Sequence, residues 1–493
     1  MARPRRPSDP TTWPEPCSRC GEHHQLVVSW PDGRICGYCY LAAKRTRGTC
    51  SCGHTGVLPG RINGRPACRA CSGVKLNIDC TACGAEDELY DGGRCWRCVL
   101  SVTVERLLTN PDTATMHPAL VPVAAALSAM DRPNSGLTWI NQPHVTAFLA
   151  DLAVAPTISH KSLDALPASR TRDYVRGLLV EHGALPRRDE LLARYTTWSN
   201  HALDRLPAGE HRGVVRRFVN WHLIHRMNGT PGGISYGTFL RSKQTTTVTI
   251  DFLTWLTARG TTLDHLSQAD LDAWQASGPT TREFASRFLT WAIKAHLVNS
   301  DLRMQPHRRG TADTMPSSEQ ARAVQTVIHH DHLPPRDQLA AILVLVFGQQ
   351  IEDVVRLTWD HVMITEDLAT ITLGQTPIAL PAPLDQPLRQ LHAEPGHGRT
   401  AAHPNTPWVF RGDSPGRHLS AAHLRYRLKT VCPTRPSRLG TLGDLTKTTP
   451  IPVLAEILGY NPTTLERHAL AAATTYGHYI AARQRDVGMA DLT

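Results

Sequence analysis

The 493-residue chain carries 53 Lys plus Arg against 43 Asp plus Glu, a formal net charge of +10. Only seven of the basic residues are Lys, and a guanidinium-rich surface suits bidentate phosphate contact, so the balance favours a nucleic-acid partner, although GC-rich coding also enriches Arg. No apolar run follows the basic start MARPRRPSDP, and the longest apolar run, Leu339–Phe347, is too short to span a bilayer. The expectation is a multidomain protein with no membrane partner, cytoplasmic and nucleoid-associated.

The first predicted elements are built on cysteine. Twelve of the 13 cysteines lie between Cys17 and Cys98 in close pairs: Cys17/Cys20, Cys36/Cys39, Cys50/Cys52, Cys68/Cys71, Cys80/Cys83 and Cys95/Cys98. The pairs restart at Cys17, Cys50 and Cys80, an internal repeat of about thirty residues. Within each repeat two pairs flank a loop and supply four thiolates, the ligand set of a tetrahedral structural Zn2+ site. Gly21, Gly53 and Gly84 follow the first pairs, where the backbone must turn its N–H groups back towards a thiolate. LVVSWPDGRI and VLPGRINGRPA supply strand-like runs with turn residues between the pairs. Three four-cysteine zinc ribbons are therefore expected within residues 1–105, the second the least regular. Four thiolates leave no open position for catalysis, and His23, His24 and His54 are read as surface residues.

Residues 106–235 read as a helical middle. SRTRDYVRGLLVEHG and RRDELLARYTTWSNHALDRL are amphipathic, and GEHRGVVRRFVNWHLIHRM spaces Val214, Val215, Phe218, Val219, Leu223 and Ile224 as one apolar face. Its aromatic residues are assigned to the core. The glycine-rich NGTPGGISYG marks a boundary. Residues 236–307 then read as several helices, with Ser267 capping one and Asp270 at its third position. After a polar linker, LAAILVLVFGQQIEDVVRLTWDHV gives a helix, a glycine step and a second helix. In ATITLGQTPIALPAPL, Ala369, Ile371 and Leu373 alternate before Gly374, and Ile378 and Leu380 after it, which predicts a β-hairpin. HLSAAHLRYRLKTV is a basic helix.

The order of these motifs resembles the tyrosine recombinase, or phage integrase, family. F-L-x-W-L, L-S-x-A-D-L and F-x-x-W-A over 236–307 resemble that family's helical core-binding domain, which clamps DNA. FGQQIEDVVRLTWDHV resembles its first arginine box, and RPSRLGTLGDL stands in the place of the second. PVLAEILGYNPTTLERHALAAATTYGHYIAARQR resembles the terminal L-G-H … T-T … Y region, so the likeness extends over about 240–490. The fold implied is mainly α and multidomain: three ribbons, the helical middle, a core-binding-like domain, and a mixed α/β recombinase-like domain over 318–493.

The family's chemistry is attack of a tyrosine on a DNA phosphate, with two arginines on the non-bridging oxygens and a lysine protonating the leaving oxygen. Carried across, the first arginine falls on Gln350, and the hairpin lysine on Gln375 or Thr376. The histidine of the second box falls on Arg435 and its arginine on Arg438. The next His or Trp falls on Tyr460, and the nucleophile on Tyr476 or Tyr479, both farther from Leu458-Gly459 than the family spacing. A pseudoenzyme that binds double-stranded DNA as an accessory or regulatory factor is the preferred expectation. Its candidate phosphate contacts are Arg425, Arg427, Lys429, Arg435 and Arg467, and the last also suits a helix-turn-helix cadence opened by Thr463 or Thr464. The ribbons are expected to reach an active recombinase or another protein. An active divergent integrase or transposase is the alternative, and a zinc-ribbon scaffold for RNA or protein a further one.

Overall fold

The computed structural model describes residues 7–472 except 205, 207–208, 231, 307–312, 330–332 and 395–405. It is mainly helical, and the chain divides into two compact units. The first comprises residues up to 185 together with 394–419, and the second comprises 186–393 with the residues from 420 onward.

The first unit opens with three small hairpin modules. The first pairs β1 (Leu26–Trp30) with β2 (Gly33–Cys36) and runs into α1 (Gly37–Arg45). The second pairs β3 (Arg47–Thr49) with β4 (Thr55–Val57) and β5 (Gly60–Ile62) with β6 (Arg65–Ala67), then turns into α2 (Arg69–Ser72). The third pairs β7 (Leu89–Asp91) with β8 (Arg94–Cys95) and continues directly into α3 (Trp96–Leu108). Gly21, Gly53 and Gly84 adopt φ of 72°, 87° and 70°, the left-handed turn their spacing after each first pair anticipates.

Charged side chains join the modules. Arg19 is clamped between Asp32, at 2.7 Å, and the Pro59 carbonyl, at 2.8 Å, with its guanidinium over the Trp30 ring. Arg69 donates to both carboxylate oxygens of Asp79 at 2.7 Å and to Glu86 at 2.8 Å. The other Glu86 oxygen lies 3.0 Å from His54 Nε2 and accepts the Val57 N–H at 3.1 Å, binding the second module to the third.

Beyond α3 follow α4 (Val121–Ser128), α5 (Pro133–Ile140), α6 (Pro143–Ala153), α7 (His160–Ala165) and α8 (Arg170–Glu181). Leu100, Leu108, Leu127, Ile140, Leu149, Leu163 and Leu178 close their shared core. Residues 406–419 rejoin this unit as a strap. Arg411 bridges His418, Trp408 Nε1 donates to the Gly416 carbonyl at 3.0 Å, and Pro415 lies against Gly177 of α8.

In the second unit, α9 (Glu190–Asp204), α10 (Glu210–Arg217), a π turn (Phe218–Ile224), α11 (His225–Asn228), α12 (Tyr236–Ala258), α13 (Gln268–Ala276) and α14 (Ala285–Lys294) share one core. That core runs from Tyr195 to Leu302, across the glycine-rich stretch at 228–237. The π turn has a cause in the sequence. Val215, Val219, Leu223 and Met227 recur at intervals of four, which in a 3.6-residue helix would drift around the axis. A wider turn holds all four buried.

The rest of this unit contains α15 (Ser317–Ile328), α16 (Pro335–Leu345), α17 (Ile351–Val354), α18 (Gln386–Ala393), α19 (Ala421–Leu428), α20 (Thr434–Thr448) and α21 (Ile451–Leu458). The expected hairpin is present as β10 (Ala369–Ile371) and β11 (Ile378–Leu380), and β9 (Val362–Ile364) adds a third antiparallel strand in the order β11-β10-β9. Its three residues are too short a run to register as alternation. Gln320 ties three helices together, donating from α15 to the Leu345 carbonyl at 2.8 Å and to Thr441 of α20.

Candidate functional site

The cysteine clusters are the clearest sites. Cys17, Cys20, Cys36 and Cys39 converge, as do Cys50, Cys52, Cys68 and Cys71, and Cys80, Cys83, Cys95 and Cys98, with all sulfurs of a cluster within 4.8 Å of one another. Individual Sγ separations are 3.9 Å (Cys20–Cys36), 3.7 Å (Cys52–Cys68), 3.8 Å (Cys80–Cys98) and 3.9 Å (Cys83–Cys95). Disulfides would need about 2.05 Å. A tetrahedron with metal–sulfur bonds of about 2.3 Å has edges of about 3.8 Å, so the spacing fits zinc.

Backbone donors complete each cluster in the same way. Cys17 Sγ accepts the Cys36 N–H at 3.3 Å, Cys50 Sγ that of Cys68 at 3.4 Å, and Cys80 Sγ that of Cys95 at 3.2 Å. N–H groups of Cys52 and Cys68 pull the Cys50 thiol down to about 6, and that of Cys95 does the same for Cys80. These are three closed structural Zn2+ sites, as the cysteine spacing predicts. Bound zinc would supply cross-linking of each hairpin, with no position left for a substrate.

The arginine-box region forms the second site. α16 ends, and Gly348 takes φ of 61° with Leu442 packed where a Cβ would stand. Gln349 turns inward and donates to the Leu458 carbonyl at 3.1 Å. Gln350 caps the start of α17, exposed, and its side chain makes no hydrogen bond among the described residues. Arg438, on α20, donates from Nη1 to the Tyr460 hydroxyl at 3.2 Å. Tyr460 in turn donates to the Gly348 carbonyl at 2.6 Å. Burial lifts the Tyr460 phenol above its ordinary value.

Two further ionisable groups face Arg438. Burial raises the Asp353 carboxyl, helped by Glu352 and opposed by Arg356 and Arg438. Burial lowers His468, and the charges of Arg438 and Arg467 lower it further. Arg356 donates to the carbonyls of Gly233 and Ile234, at 3.2 and 3.3 Å. Asp353 and His468 carried no signal as single letters; only packing identifies them.

The hairpin tip has a separate anchor. Gln375 N donates to the Glu456 carbonyl at 2.8 Å and Thr376 Oγ1 to the Glu456 carboxylate at 2.9 Å, so both expected lysine positions are held against α21. Among the candidate phosphate contacts, Arg425 pairs with Glu352 at 2.5 Å and Arg427 with the fully buried Asp337 at 2.9 Å. Lys429 and Arg435 are exposed. Arg467 is exposed on the helix 462–472 and donates to the Thr463 carbonyl at 3.2 Å, with Gly459 at φ 73° making the turn before it. Tyr476 and Tyr479 lie outside the described residues.

No described helix is long and apolar enough to cross a membrane. No protein-family model and no curated protein matches the chain. Solved structures do. A XerH site-specific recombinase in a post-cleavage complex with a palindromic difH substrate aligns over 60% of this chain and 96% of its own, at 10% identity and a TM-score of 0.40. A lambda integrase tetramer bound to a Holliday junction aligns over 56% and 82%, at 14% identity and 0.34. The Tn1549 transposon integrase with transposon right-end DNA aligns over 59% and 99%, at 12% identity and 0.28. The chain is thus similar, over rather more than half its length, to structures of site-specific recombinases and integrases.

Proposed function

We propose that the chain is a duplex-DNA-binding protein on a tyrosine-recombinase-like frame that grips phosphate without cutting the strand, as an accessory or regulatory factor. The arrangement around Arg438 carries this reading. Arg438 is held by the Tyr460 hydroxyl, but the first arginine position carries the uncharged Gln350, and the Tyr460 proton is committed to Gly348. Each missing preorganised donor costs about 10²–10³ in rate. The hairpin tip offers Gln375 and Thr376, neither able to protonate a leaving oxygen. Phosphate binding asks only for charge and geometry, which Arg438, Arg435 and Lys429 still supply.

A nicked suicide duplex distinguishes the two main readings. The expected result is a salt-sensitive complex that dissociates completely in denaturant. A denaturation-resistant adduct that vanishes in Tyr476→Phe or Tyr479→Phe would overturn the proposal and establish an active recombinase. One observation favours that second reading: His468 lies within electrostatic reach of Arg438 and brings a further basic group to the site.

The zinc ribbons are assigned a partner-binding role, with another DNA-bound protein as the class of partner. Their closed coordination supports recognition rather than chemistry.

A further inference from the structure

The three cysteine clusters share one ligand set but differ in how far it is shielded. The first holds its four cysteines buried or half-buried, the third exposes Cys83, and the second exposes both Cys52 and Cys71. The apolar cover follows the same order. Trp30, Ile35, Ala43 and Val74 close over Cys17 and Cys36, with Tyr40 packed against them. In the third ribbon Tyr90 stacks on Trp96 at 3.7 Å, and Cys98 stands on α3, whose Val99 and Leu100 enter the helical core. Around Cys50 and Cys68 the buried apolar partners are Leu58 and Ala67, with no aromatic ring among the described residues of that cluster.

The backbone adds to the difference. Cys17 Sγ accepts N–H groups from Cys36, Arg19 and Cys20, and Cys80 Sγ accepts those of Cys95, Cys83 and Ala82. With one residue fewer between its first two cysteines, the second ribbon offers Cys50 Sγ two, from Cys52 and Cys68. Each N–H draws electron density from a zinc-bound sulfur, so the cluster with fewer donors is the more nucleophilic, and exposure admits an oxidant to it.

The second ribbon is also the one to which both neighbours are tied. Its Pro59 carbonyl accepts from Arg19 of the first ribbon, and Val74, just beyond α2, is buried in that ribbon's core. His54, the Val57 N–H and Arg69 all engage Glu86 of the third. Arg69 follows Cys68 directly and His54 stands two residues after Cys52, so ligands and junction share the same turns.

We propose that the second ribbon is a peroxide-sensitive zinc site, with Cys52 and Cys71 as the modified thiolate pair and the docking of the other two ribbons under its control. The Cys52 thiolate attacks the O–O bond of a hydroperoxide; its sulfur becomes a sulfenic acid and the second oxygen leaves. Cys71, whose sulfur lies within 4.8 Å of Cys52 Sγ, then displaces hydroxide from that sulfur and closes a disulfide. Two electrons pass from the sulfurs to the peroxide. With hydrogen peroxide, two protons complete two waters, two more cap Cys50 and Cys68, and Zn2+ departs. The short β3–β4 and β5–β6 hairpins lose their cross-link, and Pro59 and Arg69 release their partners. The inference rests on the zinc assignment and is independent of the DNA reading.

The test is titration of the zinc-loaded full chain with hydrogen peroxide, released zinc being read from the absorbance of its pyridylazoresorcinol complex. One zinc per chain leaves about tenfold faster than the other two, with a Cys52–Cys71 disulfide in peptide mass spectra of that phase. Dithiothreitol with added zinc restores the third ion. Trypsin cuts after the junction residues Arg19 and Arg69 in the oxidised chain and spares both in the zinc-loaded one. Cys52→His, which offers a ligand that cannot join a disulfide, lacks the fast phase whether it holds three ions or two; a fast phase that persists overturns the assignment. Release of all three ions at one rate, or a first disulfide within the first or third cluster, also overturns the site. Fast release with unchanged tryptic cleavage overturns the control of docking. Absence of zinc from the purified chain before oxidant removes the underlying zinc assignment instead.

Discussion

Arg438 and Tyr460 are joined side chain to side chain at 3.2 Å, and the tyrosine directs its own proton to the Gly348 carbonyl at 2.6 Å. The first arginine box, α20 and the L-G-Y turn are thereby held together by one phenol. Tyr460→Phe removes both bonds and leaves the Gly348 carbonyl unpaired. The expected cost is about 1–3 kcal/mol in urea denaturation. An unchanged midpoint would show that the phenol does not lock Arg438.

Zinc content and its loss form the second prediction. The purified chain should carry three zinc ions by elemental analysis, and Cys52→Ser should reduce that number to two, since each cluster draws only on its own four thiols. Chelation should abolish the near-ultraviolet signal of Trp30 and Trp96, because hairpins this short cannot hold a core without their metal. Retention of the signal after complete metal removal would contradict the assignment.

The junction between the second and third ribbons should be sensitive to acid. The Arg69 guanidinium holds Asp79 below its usual value; Glu86 is also lowered, because Arg69, His54 and the Val57 N–H together outweigh burial. Carboxylates with depressed folded pKa values contribute stability above their unfolded pKa of about 4, and that stability is lost as pH falls through the lower folded values. Arg69→Ala should therefore lower the melting temperature at pH 7 and flatten its decline between about pH 4 and 2. A parallel decline in both proteins would refute the ion-pair account.

Asp353 should behave in the opposite sense. Its carboxyl is raised, mainly by burial, so the native state holds the proton at a pH where the unfolded chain has released it. Stability from this group falls as pH rises from the unfolded value of about 4 through the folded one. Asp353→Asn should erase that part of the pH dependence in denaturant titrations. An unaltered profile would place the charge in solvent.

A fifth expectation concerns the strap. A Cβ at Gly177 would stand 3.1 Å from the Pro415 carbonyl oxygen and 3.2 Å from its Cβ. Gly177→Leu should push residues 406–419 off α8 and open them to limited proteolysis. Resistance equal to that of the unmodified chain would mean the strap is held elsewhere.

Local patterns were legible without coordinates. Each set of four cysteines lies within one short stretch, so ligand identity follows from spacing alone, and Gly21, Gly53 and Gly84 adopt the turns that spacing demands. The β10–β11 hairpin and the Ser267 cap were readable for the same reason: two-residue alternation and a capping box are properties of adjacent residues. Gln350 at the head of α17 was also readable, because the frame around it is contiguous.

Tertiary structure decided what depends on distant partners. Arg425 and Arg427 looked equivalent along one helix, yet one meets the surface Glu352 and the other the buried Asp337 from α16. The partners of the π turn are also remote in sequence, Phe218 lying 5.3 Å from the Trp291 ring of α14 and Met227 Sδ 3.5 Å from Ser242 Oγ of α12. Return of residues 406–419 to the first unit is likewise a matter of long-range burial. Spacing fixes which ligands a short loop can gather; only the energy of closing a core determines which remote charges end as neighbours.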